Sequence, residues 1–397
     1  MLRAMLRGVV LMFVIWVAGL GILRVTLVPA QVCPPVDSAA ALNSVHAAVD
    51  WAARAQQPDG SFVYEWNANT DVESSAYNAT RHAGLAMSLY MLAASGDMSG
   101  LQTADRAMDW MVAHLYRHAD WAALRDPFDG SIETGGTGLM LAGLEHRRLA
   151  TGDQRYDGLM HELAGFLLAM QQPDGSILLA WDEAAGAPNP VERSPYATGE
   201  AFWALTLMRR LFPAEQWEAP SRAVADYLST SRDRVEHQLF PPWNDQWAAY
   251  GLAEMADWPL SDTNIAYART LAERFGFFVR FESGRRHAWW SNLLRGPRAR
   301  SAGMGTWVEG LDSLWRLASK DPRMRDMRDA IAERAACSVG MLVDRQVSAE
   351  GAKSYPRPGL AQGAGFSDGV TRMDDQQHAI GGLLRVTDIL DARKSSK

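Results

Sequence analysis

YNATRHAGLAMSLYMLAA, residues 77–94, reads as a helix with almost no polar face: no charge follows His82 in the segment. A helix that is apolar all round must be enclosed by other helices. Five more segments share this small-residue-rich character: GGTGLMLAGLEHRRLA (135–150), TGEAFWALTLMRRL (198–211), NDQWAAYGLAEMA (244–256), TWVEGLDSLWRLA (306–318) and DDQQHAIGGLLRVTDIL (374–390). Their starts lie 58, 63, 46, 62 and 68 residues apart. Small residues in them, among them Gly84, Gly136, Gly138, Gly310 and Gly381, allow close helix approach around a narrow centre. Between them lie six amphipathic segments, roughly 38–57, 101–118, 153–171, 217–231, 262–280 and 322–346, each with one apolar stripe and one charged face. The chain therefore alternates a half-solvated outer helix with an enclosed inner one, six times. Recurrent turns, QPDGS at 57–61, DGS at 129–131 and QPDGS at 172–176, join partners, with Asp-Gly supplying a positive-φ corner.

Composition sets the limits. With 397 residues, 48% hydrophobic and 21% charged, the chain can bury a large core, and disorder is excluded. No linker divides it, so residues 31–397 are expected to form one domain. Net charge is −7, and the N-terminal 24 residues contribute Arg3, Arg7 and Arg24 without an acid. The remaining body is more acidic still, which argues against nucleic-acid binding. Fifteen Trp are available for core packing or for stacking on sugar rings.

Gly8 to Leu23 carries no charge and follows Arg3 and Arg7. Residues 1–30 thus read as an uncleaved signal anchor, with a cleaved signal peptide as the alternative, and the positive-inside rule exports the body. The expected location is a single-pass inner-membrane protein with its domain on the periplasmic or extracytoplasmic side. Cys33 and Cys337 belong to the first and last outer segments, which a closed ring makes neighbours. Cys337 nevertheless lies about 22 Å along its helix at 1.5 Å per residue, while Cys33 precedes the other helix. The expectation is that Cys337 is a buried, unbridged residue.

Six alternating pairs, with the motifs QQPDGS, YNATRHAG, YATGEA, NDQW and DDQQHA, make the chain resemble the six-hairpin glycosidase-type (α/α)6 toroids over about 38–391. The resemblance implies an all-α toroid of six inner and six outer helices. Its members include glycoside hydrolases, polysaccharide lyases and sugar epimerases, so fold alone does not choose the reaction. Isoprenoid cyclases and protein prenyltransferases use related toroids. The acidic DxDD pattern of the cyclases is absent, Asp374-Asp375 being only a fragment, and Cys337 has Ala335 where the prenyltransferase zinc site needs Asp.

Inner helices running in one direction open their N-termini onto one mouth, where negative charge in a ligand is favoured. Thr198, Asn244 and Asp374 are expected there as N-caps. Glu200 and Glu309 lie just inside apolar helices, where burial raises a carboxyl toward the range of a general acid. Glycoside hydrolysis needs two flanking carboxylates, and the candidates are Glu200, Asp245, Glu309 and Asp375. His82 and His378, on the first and last inner helices, form a second constellation. With Arg81 and Tyr196 it is similar to the proton-transfer site of N-acylglucosamine epimerase-like toroids. Trp247, Trp307 and Gln376 complete the expected substrate contacts. The segment RFESGRRHAWWSNLLRGPRAR, 280–300, sets Arg280, Arg285, Arg286, Arg295, Arg298 and Arg300 against Glu282. Its arginines with His287, Trp289 and Trp290 suit an anionic sugar polymer, or lipid headgroups near the anchor. No metal or cofactor motif is present, and neither is expected. The expected partners are a polysaccharide or oligosaccharide and, through the N-terminal helix, the membrane. The leading expectation is hydrolysis of an envelope or exported polysaccharide. A sugar epimerase or lyase, and a non-catalytic glycan-binding or assembly protein, are the alternatives.

Overall fold

The computed structural model describes residues 2–26, 28–238, 244–286 and 289–395. Helix α1 (Leu2–Thr26) stands outside the body, its apolar side chains exposed. The outer helices follow as α2 (Ser38–Ala55), α4 (Leu101–Ala113), α6 (Asp157–Met170), α8 (Glu218–Thr230), α10 (Asp262–Ser283) and α12 (Arg328–Arg345). The inner ones are α3 (Ala79–Ala94), α5 (Thr134–Thr151), α7 (Ala197–Leu211), α9 (Gln246–Glu254), α11 (Ser301–Lys320) and α13 (Met373–Arg385), and α14 (Thr387–Ser395) ends the chain. Each inner helix packs on the next, and α13 returns to α3, so the ring closes. This is an (α/α)6 toroid.

The physical reason lies in the side chains. Nearly every residue of α3 and of the first four turns of α5 is buried, whereas α2, α4 and α8 alternate buried and exposed positions. Two close approaches depend on glycine. A Cβ at Gly138 would lie 3.2 Å from the backbone of Glu200 on α7, and one at Gly310 would overlap the Phe275 ring of α10. The repeated turns behave alike: Asp59, Asp129 and Asp174 accept from the backbone N–H of Ser61, Ser131 and Ser176, with Gly60, Gly130 and Gly175 at positive φ. These aspartates shape turns.

A small sheet at the mouth links the first and last units, Glu65–Asn67 pairing antiparallel with both Val72–Glu73 and Val370–Arg372. At the ring's seam α12 packs on α2, and Gln346 donates to the Ser44 carbonyl at 2.9 Å.

The seam overturns the expectation for the cysteines. Cys33 and Cys337 are disulfide-bonded, with Cα atoms 4.7 Å apart. The vertical mismatch is resolved because the chain before Ser38 runs back along α10 and α12. Val32 donates to the Ser283 carbonyl at 2.8 Å, Arg334 bonds Gln31, and Pro34 lies against Gly340 so closely that no Cβ fits there. The N-caps also differ from expectation. The residues before α7, α9 and α13 are Tyr196, Asp245 and Arg372, each adjacent or close to the one expected.

Candidate active site at the mouth of the ring

Because the chain alternates direction, all six inner helices begin at the same end. The acids and histidines near those starts were expected to converge there, and the structure sorts them by partner.

Asp245 caps α9, accepting from Ala248 N–H at 2.9 Å, and forms a fully buried ion pair with Arg232. Arg232 also donates to the Tyr267 hydroxyl at 2.6 Å. Asp375 is held at 2.7 Å by Arg300 and accepts from Ala302 N–H, tying the start of α13 to the start of α11. Gln376 is buried, bonding Gly365 N–H, Thr371 and the Arg372 carbonyl. All three have their polar atoms engaged in holding helix ends. Trp307 turns away from the mouth and stacks on Phe278 of α10.

His82 also faces away from the mouth. It is fully buried between α3 and α4, with Nε2 2.9 Å from the Ala107 carbonyl oxygen, Nδ1 2.7 Å from the Tyr77 hydroxyl, and its ring stacked on Trp110. Burial lowers its pKa to about 4. It faces the outer wall as a neutral packing residue, so the His82–His378 pair does not form.

His378 faces the other way. Its Nδ1 lies 2.9 Å from the Glu309 carboxylate, and the ring sits 5.8 Å from Trp247. Its side chain keeps 12% of its surface exposed, while that of Glu309 is sealed. Burial pulls the imidazole pKa down, but Glu309, followed by Asp374 and Asp375, leaves it above the ordinary value. Burial conversely pushes Glu309 up against the pull of His378. With Nδ1 fixed on a carboxylate, Nε2 is left for a substrate. Trp247 floors the site, stacked with Trp203 and Tyr250.

Glu200 is the second unusual group. It is buried, and no hydrogen bond to its carboxyl is formed among the described residues. It leans on the start of α5, where only a glycine at 135 leaves room for it. Burial, then Asp245 and Glu133, raises its pKa to about 8. Near neutral pH it is a carboxylic acid with a proton to give.

A continuous set of neighbours joins these two groups. Tyr196, 44% exposed, feels Glu200 and then Arg81. Arg81 bonds Tyr64 and, at 3.2 Å, Asp374, which Arg372 also holds and which acts on His378. The mouth therefore carries a neutral acid on one side, a histidine–carboxylate pair on the other, and arginines and tyrosines between. Tyr64, Glu133, Asp374 and Arg372 join the site beyond the expected set. Tyr64 and Arg372 sit in or beside the small sheet, whose pairing no helical period reveals.

Trp289, 78% exposed, lies outside this cluster, and its neighbour Trp290 is half-buried. A separate cavity of about 790 Å³ is lined by Trp289, Arg286, Arg298, Phe366 and Asp368. His287 lies outside the described residues.

No protein-family model matches this chain, and no curated protein matches it. Solved structures match in shape. A cellobiose 2-epimerase from Spirochaeta thermophila has TM-score 0.58 at 15% identity, covering 87% of this chain and 93% of that one. A GH76 α-mannanase from Bacteroides thetaiotaomicron has TM-score 0.59 at 9% identity, covering 90% and 97%. A type II terpene cyclase from Scytonema has TM-score 0.53 at 12% identity, covering 89% and 98%. The chain thus has the (α/α)6 toroid fold that these enzymes share, and the likeness speaks of fold alone.

Proposed function

We propose that this chain is a membrane-tethered, exported enzyme that cleaves a glycosidic bond of an envelope or exported polysaccharide in the toroid mouth. The observation that carries the reading is that a buried carboxyl with a raised pKa, Glu200, and a carboxylate-oriented histidine, His378 on Glu309, both stand near inner-helix starts at one mouth. In this reading Glu200 gives its proton to the leaving glycosidic oxygen as the bond to the anomeric carbon breaks. His378 Nε2 takes a proton from the water whose oxygen bonds that carbon, and Glu309 stabilises the imidazolium. Arg81 and Tyr196 hold the sugar, and an acidic polymer suits the arginines and the helix N-termini.

Residues 1–30 serve as the anchor and 31–397 as the catalytic domain. The 22-residue apolar stretch Met5–Thr26 supports the first assignment, and the Cys33–Cys337 disulfide suits an oxidising, exported compartment. A second reading rests on the same dyad: His378 removes a proton beside the carbonyl of an open-chain sugar and Glu200 returns one to the opposite face. One experiment separates them. The purified chain is incubated in deuterated water with a panel of neutral and acidic oligosaccharides and followed by NMR. New reducing ends, lost in Glu200→Gln, support hydrolysis. Deuterium at a sugar carbon without cleavage supports epimerisation. Binding with neither change overturns both in favour of a glycan-binding protein.

A further inference from the structure

The short helix Trp289–Arg295 has one side with no partner among the described residues of the toroid. Trp289, Leu293 and Leu294 are 78%, 74% and 48% exposed, while Ser291 and Arg295 are buried beneath them. The apolar surface continues onto α10: the Arg295 guanidinium lies 4.7 Å from the Phe281 ring, which stacks on Phe277, itself 61% exposed.

What covers this face follows from the chain that leaves α1. Arg295 donates to the Thr26 carbonyl at 3.3 Å, Arg280 to Pro29 at 3.0 Å and Arg286 to Ala30 at 2.7 Å. The disulfide at Cys33 fixes this strand to α12. The last residue of the apolar stretch and the short helix are therefore one hydrogen bond apart. A stretch of 22 residues rises about 33 Å, the thickness of a hydrocarbon core, so Thr26 falls at its edge. A helix bonded to Thr26 sits at headgroup depth.

Its chemistry matches that depth. Trp, Leu and Arg together are the residues of a segment lying in the interface plane. Arg24, Arg280, Arg286, Arg295 and Arg334 cluster around it, and the acid within 280–300, Glu282, is buried and consumed by Arg285 and Arg345. Burial, then Arg334 and Arg24, holds Arg280 below the ordinary guanidinium value. We propose that Trp289–Arg295 and the arginines around it lie in the headgroup layer of an anionic bilayer and seat the toroid on it. The C-terminus of α10 and the starts of the inner helices share one end of the ring, so the substrate mouth is held at the membrane surface. Its substrate is then a saccharide chain displayed at that surface.

The inference rests on α1 being a membrane anchor, and the test separates the two. The native cysteines are joined, so Leu293→Cys in the full chain gives one free thiol for a nitroxide label. Leu11→Cys reports the anchor and Met98→Cys, at the far end of the ring, reports the aqueous side. In phosphatidylcholine–phosphatidylglycerol vesicles, the ratio of oxygen to nickel-chelate accessibility should be several-fold higher at 293 and at 11 than at 98. It should fall at 293 alone when phosphatidylglycerol is omitted. An aqueous 293 with an immersed 11 overturns the docking while sparing the anchor. An aqueous 11 overturns the anchor, and the docking with it.

Discussion

The starts of α3 and α13 are neighbours in the ring, and each carries a histidine in an apolar helix, yet the two histidines face opposite ways. His82 turns outward to the α4 backbone and Trp110, where burial outweighs the Ala107 hydrogen bond and its pKa falls to about 4. His378 turns inward to a carboxylate, and its pKa rises. The acids repeat the contrast. Asp245, capping α9, is matched by Arg232, whereas Glu200 on neighbouring α7 has no cation beside it among the described residues and its pKa rises to about 8. Which face of an inner helix a polar residue occupies, and what the adjacent helix offers it, decides between structure and chemistry.

That contrast breaks or sharpens under substitution. His378→Ala should lower kcat by about 10⁴-fold, roughly 5 kcal/mol of barrier, with the melting temperature nearly unchanged. A large loss of stability with normal turnover per folded molecule would place His378 with His82. Asp245→Asn removes the closest counterion of the buried Arg232, leaving Asp233 at 3.7 Å. Urea unfolding should show a loss of about 3–4 kcal/mol, with kcat per folded molecule kept.

Glu200→Gln should cost about 10²-fold in turnover, or ~3 kcal/mol, and change the pH dependence of stability. In the native chain Glu200 holds its proton up to about pH 8, while in the unfolded chain it loses it near its ordinary value of 4.5. The unfolded state binds fewer protons across that window, so this group's stabilising contribution is complete below 4.5 and is lost as pH rises through 8. Unfolding curves at several pH values should show a shallower decline in Glu200→Gln. The smallest effect belongs to His82→Asn, about 1–2 kcal/mol of stability from two lost hydrogen bonds, with kcat intact.

The fold was legible because it is written in periodicity. Segments such as 77–94, apolar on every face, have no place except inside a ring, and the Asp-Gly-Ser turns mark where partners join. The site was legible only in its residue types. Glu200 and Glu309 stood out as acids in apolar helices, but nothing near Asp245 in sequence announces Arg232, thirteen residues earlier in a separate short helix. Nor does the sequence around 82 tell whether that imidazole meets Ala107 or the mouth, since a helix turn of about 100° per residue separates the two outcomes. The disulfide was missed for a related reason. Helix geometry argued against it, and an irregular strand along α12, which carries no period at all, supplied the missing reach.

The central claim is that Glu200 and the His378–Glu309 pair flank one saccharide. A crystal structure of Glu200→Gln with an oligosaccharide turned over by the native chain tests it most directly. The account predicts a sugar ring over Trp247, with the His378 Nε2 and the residue-200 side chain each within hydrogen-bond reach of the reacting unit. A sugar bound only in the cavity beside Trp289, with the mouth unoccupied, would contradict it.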